Sequence, residues 1–215
     1  MNKILTFYSE SHRELFENYF LKSYNKFLSG NYNLIVKKID QISETGEFAS
    51  KGFDLTMLEK IKFIIENIDF FDENFLIFAD CDIQFFCNLE YDLGYNDIIF
   101  QEDASTYCAG FFICRQNKKV KDFFECVKNK LLNDLNGVID DQGIINQIID
   151  KFDISVGKLP KDKFWTVGNS TNGLRWVGQD FYCPPTVQMH HANFTVGIDN
   201  KKLLMNMVRE KLNEK

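Results

Sequence analysis

The sequence is poor in proline, with only 3 in 215 residues, and it has no Pro-, Gly- or Ser-rich run that would act as a linker. It has no basic block either. Twenty-five Lys plus Arg stand against 31 Asp plus Glu, a net charge of −6 and a pI near 5.2, which argues against a general nucleic-acid or anionic-membrane binder. An anionic ligand must then find positive charge locally, for example on a metal. No apolar run approaches the ~20 residues of a membrane span, and Met1 to Ser11 lacks the apolar core of a signal peptide. The expected location is therefore cytoplasmic, without a transmembrane segment. The 6 cysteines, at 81, 87, 108, 114, 126 and 183, contain no CxxC pair, so we expect reduced thiols and neither zinc nor a disulfide frame. With no export signal, the sequons at Asn169 and Asn193 read as chance in an Asn-rich chain.

What is present is enough to fold. Residues of the apolar set make up 45% of the chain and charged residues 26%, which excludes a disordered polymer, and the length favours one domain, residues 1–215. The 22 phenylalanines point to no particular chemistry. Strands are expected at Ile4 to Tyr8, Leu34 to Ile39, Phe75 to Ala79, Ile98 to Gln101, Phe111 to Cys114, Ile154 to Val156 and Val187 to His190. Helices are expected after capping boxes at Ser11 and Thr56, over Val120 to Leu132, after Asp140 or Asp141, and from about Lys201. Gly30 is placed to end the first helix in a left-handed conformation. Alternating strands and helices imply an α/β sheet in layers. The stretch from Pro160 to Pro185, which holds both tryptophans, reads as a long irregular segment suited either to a mobile cover or to a static Ω-loop with both indoles as anchors.

Three segments could carry chemistry. The strand Phe75 to Ala79 delivers Asp80 and Asp82 at its carboxyl end, where open α/β sheets bind ligands, and alternate residues of an extended segment converge. Two facing carboxylates repel, and a hard divalent cation, Mg²⁺ or Mn²⁺, removes that conflict. His190 and His191 precede Lys201 and Lys202; an imidazole could complete a carboxylate metal site, and either lysine could meet a diphosphate. Asp140, Asp141 and Gln142 open a helix, one aspartate capping it and the other free for a substrate hydroxyl.

Together these segments, with Cys108-Ala109-Gly110-Phe111-Phe112 and His191-Ala192-Asn193, resemble the nucleotide-diphospho-sugar transferases of GT-A fold. The resemblance implies a single GT-A-like α/β domain, a Rossmann-like mixed sheet with helices on both faces. It also implies a metal-dependent glycosyltransferase with a nucleotide-diphosphate sugar as donor and a saccharide or other hydroxyl acceptor. By matching position, Asp80 would contact ribose or metal, Asp82 and His191 the metal, and Asp141 the sugar or acceptor. Gly110, Gln142 and Lys201 would line the donor site. An inverting enzyme would also want a carboxylate base, for which Asp103, Asp140 and Asp141 are candidates. The alternatives are an aspartyl-nucleophile phosphohydrolase, since strand-Asp-x-Asp also describes that group, and a catalytically inactive nucleotide-sugar-binding module.

Overall fold

The computed structural model describes residues 1–47, 50–70, 74–133 and 140–213. Six strands form the main sheet in the order β2-β1-β3-β6-β5-β7. They are β1 (Asn2–Tyr8), β2 (Tyr32–Lys38), β3 (Leu76–Ala79), β5 (Ile98–Asp103), β6 (Thr106–Cys114) and β7 (Val156–Lys158). A second sheet, in the order β4-β9-β8, joins β4 (Ile83–Phe85), β8 (Phe164–Thr166) and β9 (Met189–His191). The fully buried β3 is parallel to β1 but antiparallel to β6, and β6 pairs in turn with β5 as an antiparallel hairpin. That hairpin turns at Ala104 (φ 44°) and Ser105 (φ 92°), the left-handed conformation such two-residue loops require and normally assign to glycine or asparagine.

Alternation along the strands sorts the core into two faces. Leu76 and Phe78 of β3 face α3 (Phe53–Asn67), α4 (Lys118–Asn133) and α5 (Asp141–Ile148). Ile77 and Ala79 face the first helical segment, where α1 (Arg13–Leu15) and α2 (Leu21–Phe27) are joined through a π-helical turn at Phe16–Phe20. Helices thus cover both faces of a mixed sheet, as expected. A third apolar cluster packs α6 (Ile198–Asn213) on the second sheet through Leu204, Met205, Trp165 and Trp176.

Several local expectations fail for identifiable reasons. Ser11 does not cap a helix; its hydroxyl bonds His12 Nδ1 at 2.9 Å, and Ser9 precedes the first turn. Helix α3 begins three residues before Thr56, after Gly52 at φ 82°, where a Cβ would come within 2.7 Å of the Ile42 carbonyl oxygen. Thr56 instead donates back to Gly52 O at 3.2 Å. Gly30 is not left-handed; α2 ends at Leu28 with ordinary φ. The stretch after Pro160 is not wholly irregular, since it contains β8. Its tryptophans are each 1% exposed and serve as core anchors. No helix among the described residues is long and apolar enough to cross a membrane.

Candidate active site

The carboxyl ends of β1, β3 and β5 open into a cleft of about 530 Å³. Chain geometry delivers its acidic floor. Asp80 leaves β3, its N–H donating to Gly110 O at 2.8 Å, and Asp82 follows just before β4. In β9, alternation sends His191 into the cleft and His190 the other way, to Gln84 (3.1 Å) and Trp165. Asp80, Asp82 and His191 each present a ligand atom within 4.8 Å of the others.

The imidazole is oriented from behind. Nδ1 donates to Gln101 Oε1 at 2.9 Å, so Nε2 is the nitrogen turned to Asp82 Oδ1, 3.3 Å away. Such outer-shell bonds commonly fix metal-binding histidines. Gly110 provides the space: a Cβ there would come within 2.3 Å of His191 Cε1 and 2.5 Å of Asp80 Oδ2. Two hard carboxylates and an imidazole, convergent and held from behind, fit a divalent cation.

Electrostatics separates the two aspartates. Burial raises both carboxyls, but Lys201 and His191 hold Asp82 well below the usual carboxylate range, with Lys201 Nζ 2.5 Å from Asp82 Oδ2. Burial carries Asp80 upward, Lys60 opposing it and the nearby Asp82 adding to it. Burial also disfavours charge on His191, yet Asp82 and Cys108 raise it to about 10. Lys202, the other candidate for a diphosphate, pairs with Glu14 and Asp199 instead.

The two aspartates at the start of α5 sit differently. Asp140 accepts from Gly143 N at 2.8 Å and caps the helix. Asp141, buried, lines the cleft. Gln142 bridges the β5–β6 hairpin: its Nε2 donates to Asp103 Oδ2 at 2.8 Å, and its Oε1 accepts from Ala109 N at 3.2 Å. Asn193 Nδ2 also reaches Asp103 Oδ2, at 3.4 Å. Of the residues singled out from the sequence, Asp80, Asp82, Asp103, Gly110, Asp140, Asp141, Gln142, His191 and Lys201 line this one cleft, whereas His190 and Lys202 do not.

Two further lining residues escaped sequence reasoning. Lys60 is buried, with Nζ 2.9 Å from Asp141 Oδ2 and 3.3 Å from Asp80 Oδ1; burial opposes its charge, and the two aspartates more than restore it. The available signal was position, since Lys60 falls on the same helical face as Met57, Ile61 and Ile64. The third histidine, His12, also reaches the cleft, where burial and Lys201 push it down to about 4.

With this arrangement established, comparison gives the class. The chain belongs to the nucleotide-diphospho-sugar transferase family, whose model matches residues 20–205. That membership makes it a glycosyltransferase and takes the place of the phosphohydrolase alternative. Its fold is that of GT-A glycosyltransferases. It is similar to a glycosyltransferase involved in glycosylation of the major capsid of PBCV-1, at 11% identity and TM-score 0.63, over 96% of this chain and 99% of that one. It is similar to the galactosyltransferase LgtC, solved with donor and acceptor sugar analogs, at 11% identity and TM-score 0.57, over 95% of each chain. A third likeness is to GlyE of Streptococcus pneumoniae TIGR4, at 13% identity and TM-score 0.59, over 97% of this chain but 63% of that one. No curated protein matches by sequence.

Proposed function

We propose that the protein moves a sugar from a nucleotide-diphosphate donor to a hydroxyl acceptor with the help of Mn²⁺ or Mg²⁺, and that residues 1–215 act as one unit. The observation that carries this is the convergence of Asp80, Asp82 and His191 within 4.8 Å at the ends of the sheet strands. These three residues would hold the cation. When bound, such a cation neutralises charge developing on a diphosphate leaving group.

The chain's own residues do the rest. Lys201, paired with Asp82 at the edge of this cluster, would offer its ammonium to a diphosphate oxygen. Lys60 lies between Asp80 and Asp141, 3.3 and 2.9 Å from them, and its charge offsets the repulsion between the two carboxylates. Asp141 faces the transferred sugar or the acceptor hydroxyl. Asp103 receives both of its amide hydrogen bonds on Oδ2, which leaves Oδ1 available to a hydroxyl; it is the second carboxylate in reach of an acceptor. The cytoplasmic location belongs to the same reading and is supported by six free cysteines.

The test is a thermal-shift panel of UDP, GDP, CMP and dTDP sugars with Mn²⁺ or with chelator. Ligand at 100 times its dissociation constant stabilises by about 2.7 kcal/mol, about 5–10 °C for a chain of this size. Asp82→Asn should abolish the metal-dependent part with the fold intact. Asp141→Asn should depress turnover far more than nucleotide affinity, because Asn removes the charge and not the shape. Equal shifts with Mn²⁺ and with chelator would overturn the metal assignment, and metal-dependent binding without turnover on any acceptor would favour the inactive binding module.

A further inference from the structure

The cleft has two unlike walls. On one side Ser9 and His12 follow β1, which lies between β2 and β3, so the chain departs from β1 in both directions. Such a switch point is where open α/β sheets take their nucleotide. The other wall comes from β5, two strands beyond β3, and reaches the cleft through Asp103 and Ala104.

Arg175 belongs to that second wall. Gly173 sits against the hairpin tip, so close that a Cβ on it would come within 3.1 Å of Ala104 Cβ. The next turn is anchored by buried Trp176. Its indole donates to Gln179 O at 2.7 Å, its N–H to Phe194 O at 2.7 Å, and its carbonyl accepts from Thr195 Oγ1 at 3.1 Å. Arg175 is thus carried on a fixed segment, itself exposed and lining the cleft. Ala104 and Ser105 hold left-handed conformations beside it, and strain of this kind gathers at ligand sites.

Charge singles it out. Three Lys or Arg side chains line the cleft. Lys60 is committed to Asp80 and Asp141, and Lys201 to Asp82, whereas Arg175 has no carboxylate partner among the described residues. A guanidinium presents a planar fork of donors that matches an oxyanion with two bonds. We propose that Arg175 recognises a carboxylate or phosphate on the acceptor, making the preferred acceptor an acidic saccharide and not a neutral one. This rests on the glycosyl-transfer reading above and adds the acceptor's chemical class.

The experiment uses the whole protein with Mg²⁺ and the nucleoside diphosphate it binds best. Glucuronate, glucose 6-phosphate and neutral methyl glucoside are titrated by calorimetry. The acidic sugars should bind at least about tenfold more tightly than methyl glucoside, the scale of a charge-assisted pair. Arg175→Ala should erase that preference, and Arg175→Lys should keep only part of it. Lys130→Ala, on an exposed part of α4, should change nothing and so controls for general attraction. In Arg175→Ala, nucleoside diphosphate affinity should persist. Loss of that affinity would make Arg175 a donor-phosphate contact and overturn the proposal, as would equal binding of acidic and neutral sugars. If the wild type binds no nucleoside diphosphate, the transferase reading fails separately; the sugar titrations, run without nucleotide, still decide Arg175.

Discussion

Replacing Lys60 by methionine keeps the length and bulk of the side chain while deleting its charge. The side chain is 3% exposed, and its ammonium lies 2.9 Å from Asp141 and 3.3 Å from Asp80. At an effective permittivity of about 20, each contact is worth about 5 kcal/mol before desolvation. Burying the three groups and the repulsion between the two carboxylates offset most of that. The measurable quantity is the penalty left when the cation alone is removed, about 3–5 kcal/mol for a buried pair. Urea unfolding should show it as a midpoint lowered by about 1–2 M at unchanged slope. Adding Asp141→Asn to Lys60→Met should recover part of the loss, because only Asp80 then remains charged and its side chain is 27% exposed; the coupling expected for residues in contact is about 0.5–3 kcal/mol. A Lys60→Met protein within 1 kcal/mol of wild type, or a double variant no better than the single one, would show that water already solvates these carboxylates and would refute the argument.

Gly110→Ala should weaken Mn²⁺ binding at least about tenfold by calorimetry, because its methyl would come within 2.3 Å of His191 Cε1 and 2.5 Å of Asp80 Oδ2 and so displace two proposed ligands; unchanged affinity would mean that the cluster is not the metal site. His12 gives a pH signature. Its folded pKa, about 4, lies below the ordinary 6.5, so its stabilising share is complete above about pH 6.5 and is lost as pH falls toward 4. Comparing unfolding at pH 7 and pH 4.5, His12→Gln should lose up to about 2–3 kcal/mol less than the wild type over that interval, and parallel losses would show that His12 is solvated.

The parts of the site that the sequence made legible share a cause. Asp80 and Asp82 follow four consecutive buried residues, and a strand read from β-branched and aromatic content also says where its carboxyl end lies. His191 was separable from His190 only by position in a motif; the structure supplies the reason, that β9 turns alternate side chains to opposite faces. Asp140 was legible as a cap because helix caps have strict geometry, which left Asp141 as the one of the pair to line the cleft. Lys60 was illegible because a lysine on a helix is ordinarily solvated, and only the strong apolar register around it marks the exception. His12 was absorbed into a supposed helix start, and nothing local shows that Lys201, far along the chain, comes to lie near it. Strands β4 and β8 escaped because three residues cannot display a period, and both exist through pairing with β9.

That second sheet bears on how the protein reaches its working state. The pairing of β4 with β9 brings together Gln84 and His190, 106 residues apart along the chain, and the same strand carries His191 to Asp82. Closing so long a loop has a large entropic cost that no local contact offsets, and topologies rich in distant pairings fold slowly. The main sheet, by contrast, draws β1, β2 and β3 from the first eighty residues and can consolidate from nearer pairings. Backbone order and a complete site are therefore expected to arrive separately during refolding. Far-UV signal from the larger sheet and its helices should precede burial of Trp165 and assembly of the proposed cation site in stopped-flow refolding, because both wait for the one strand that ties the end of the fold to its middle; simultaneous recovery would refute this order.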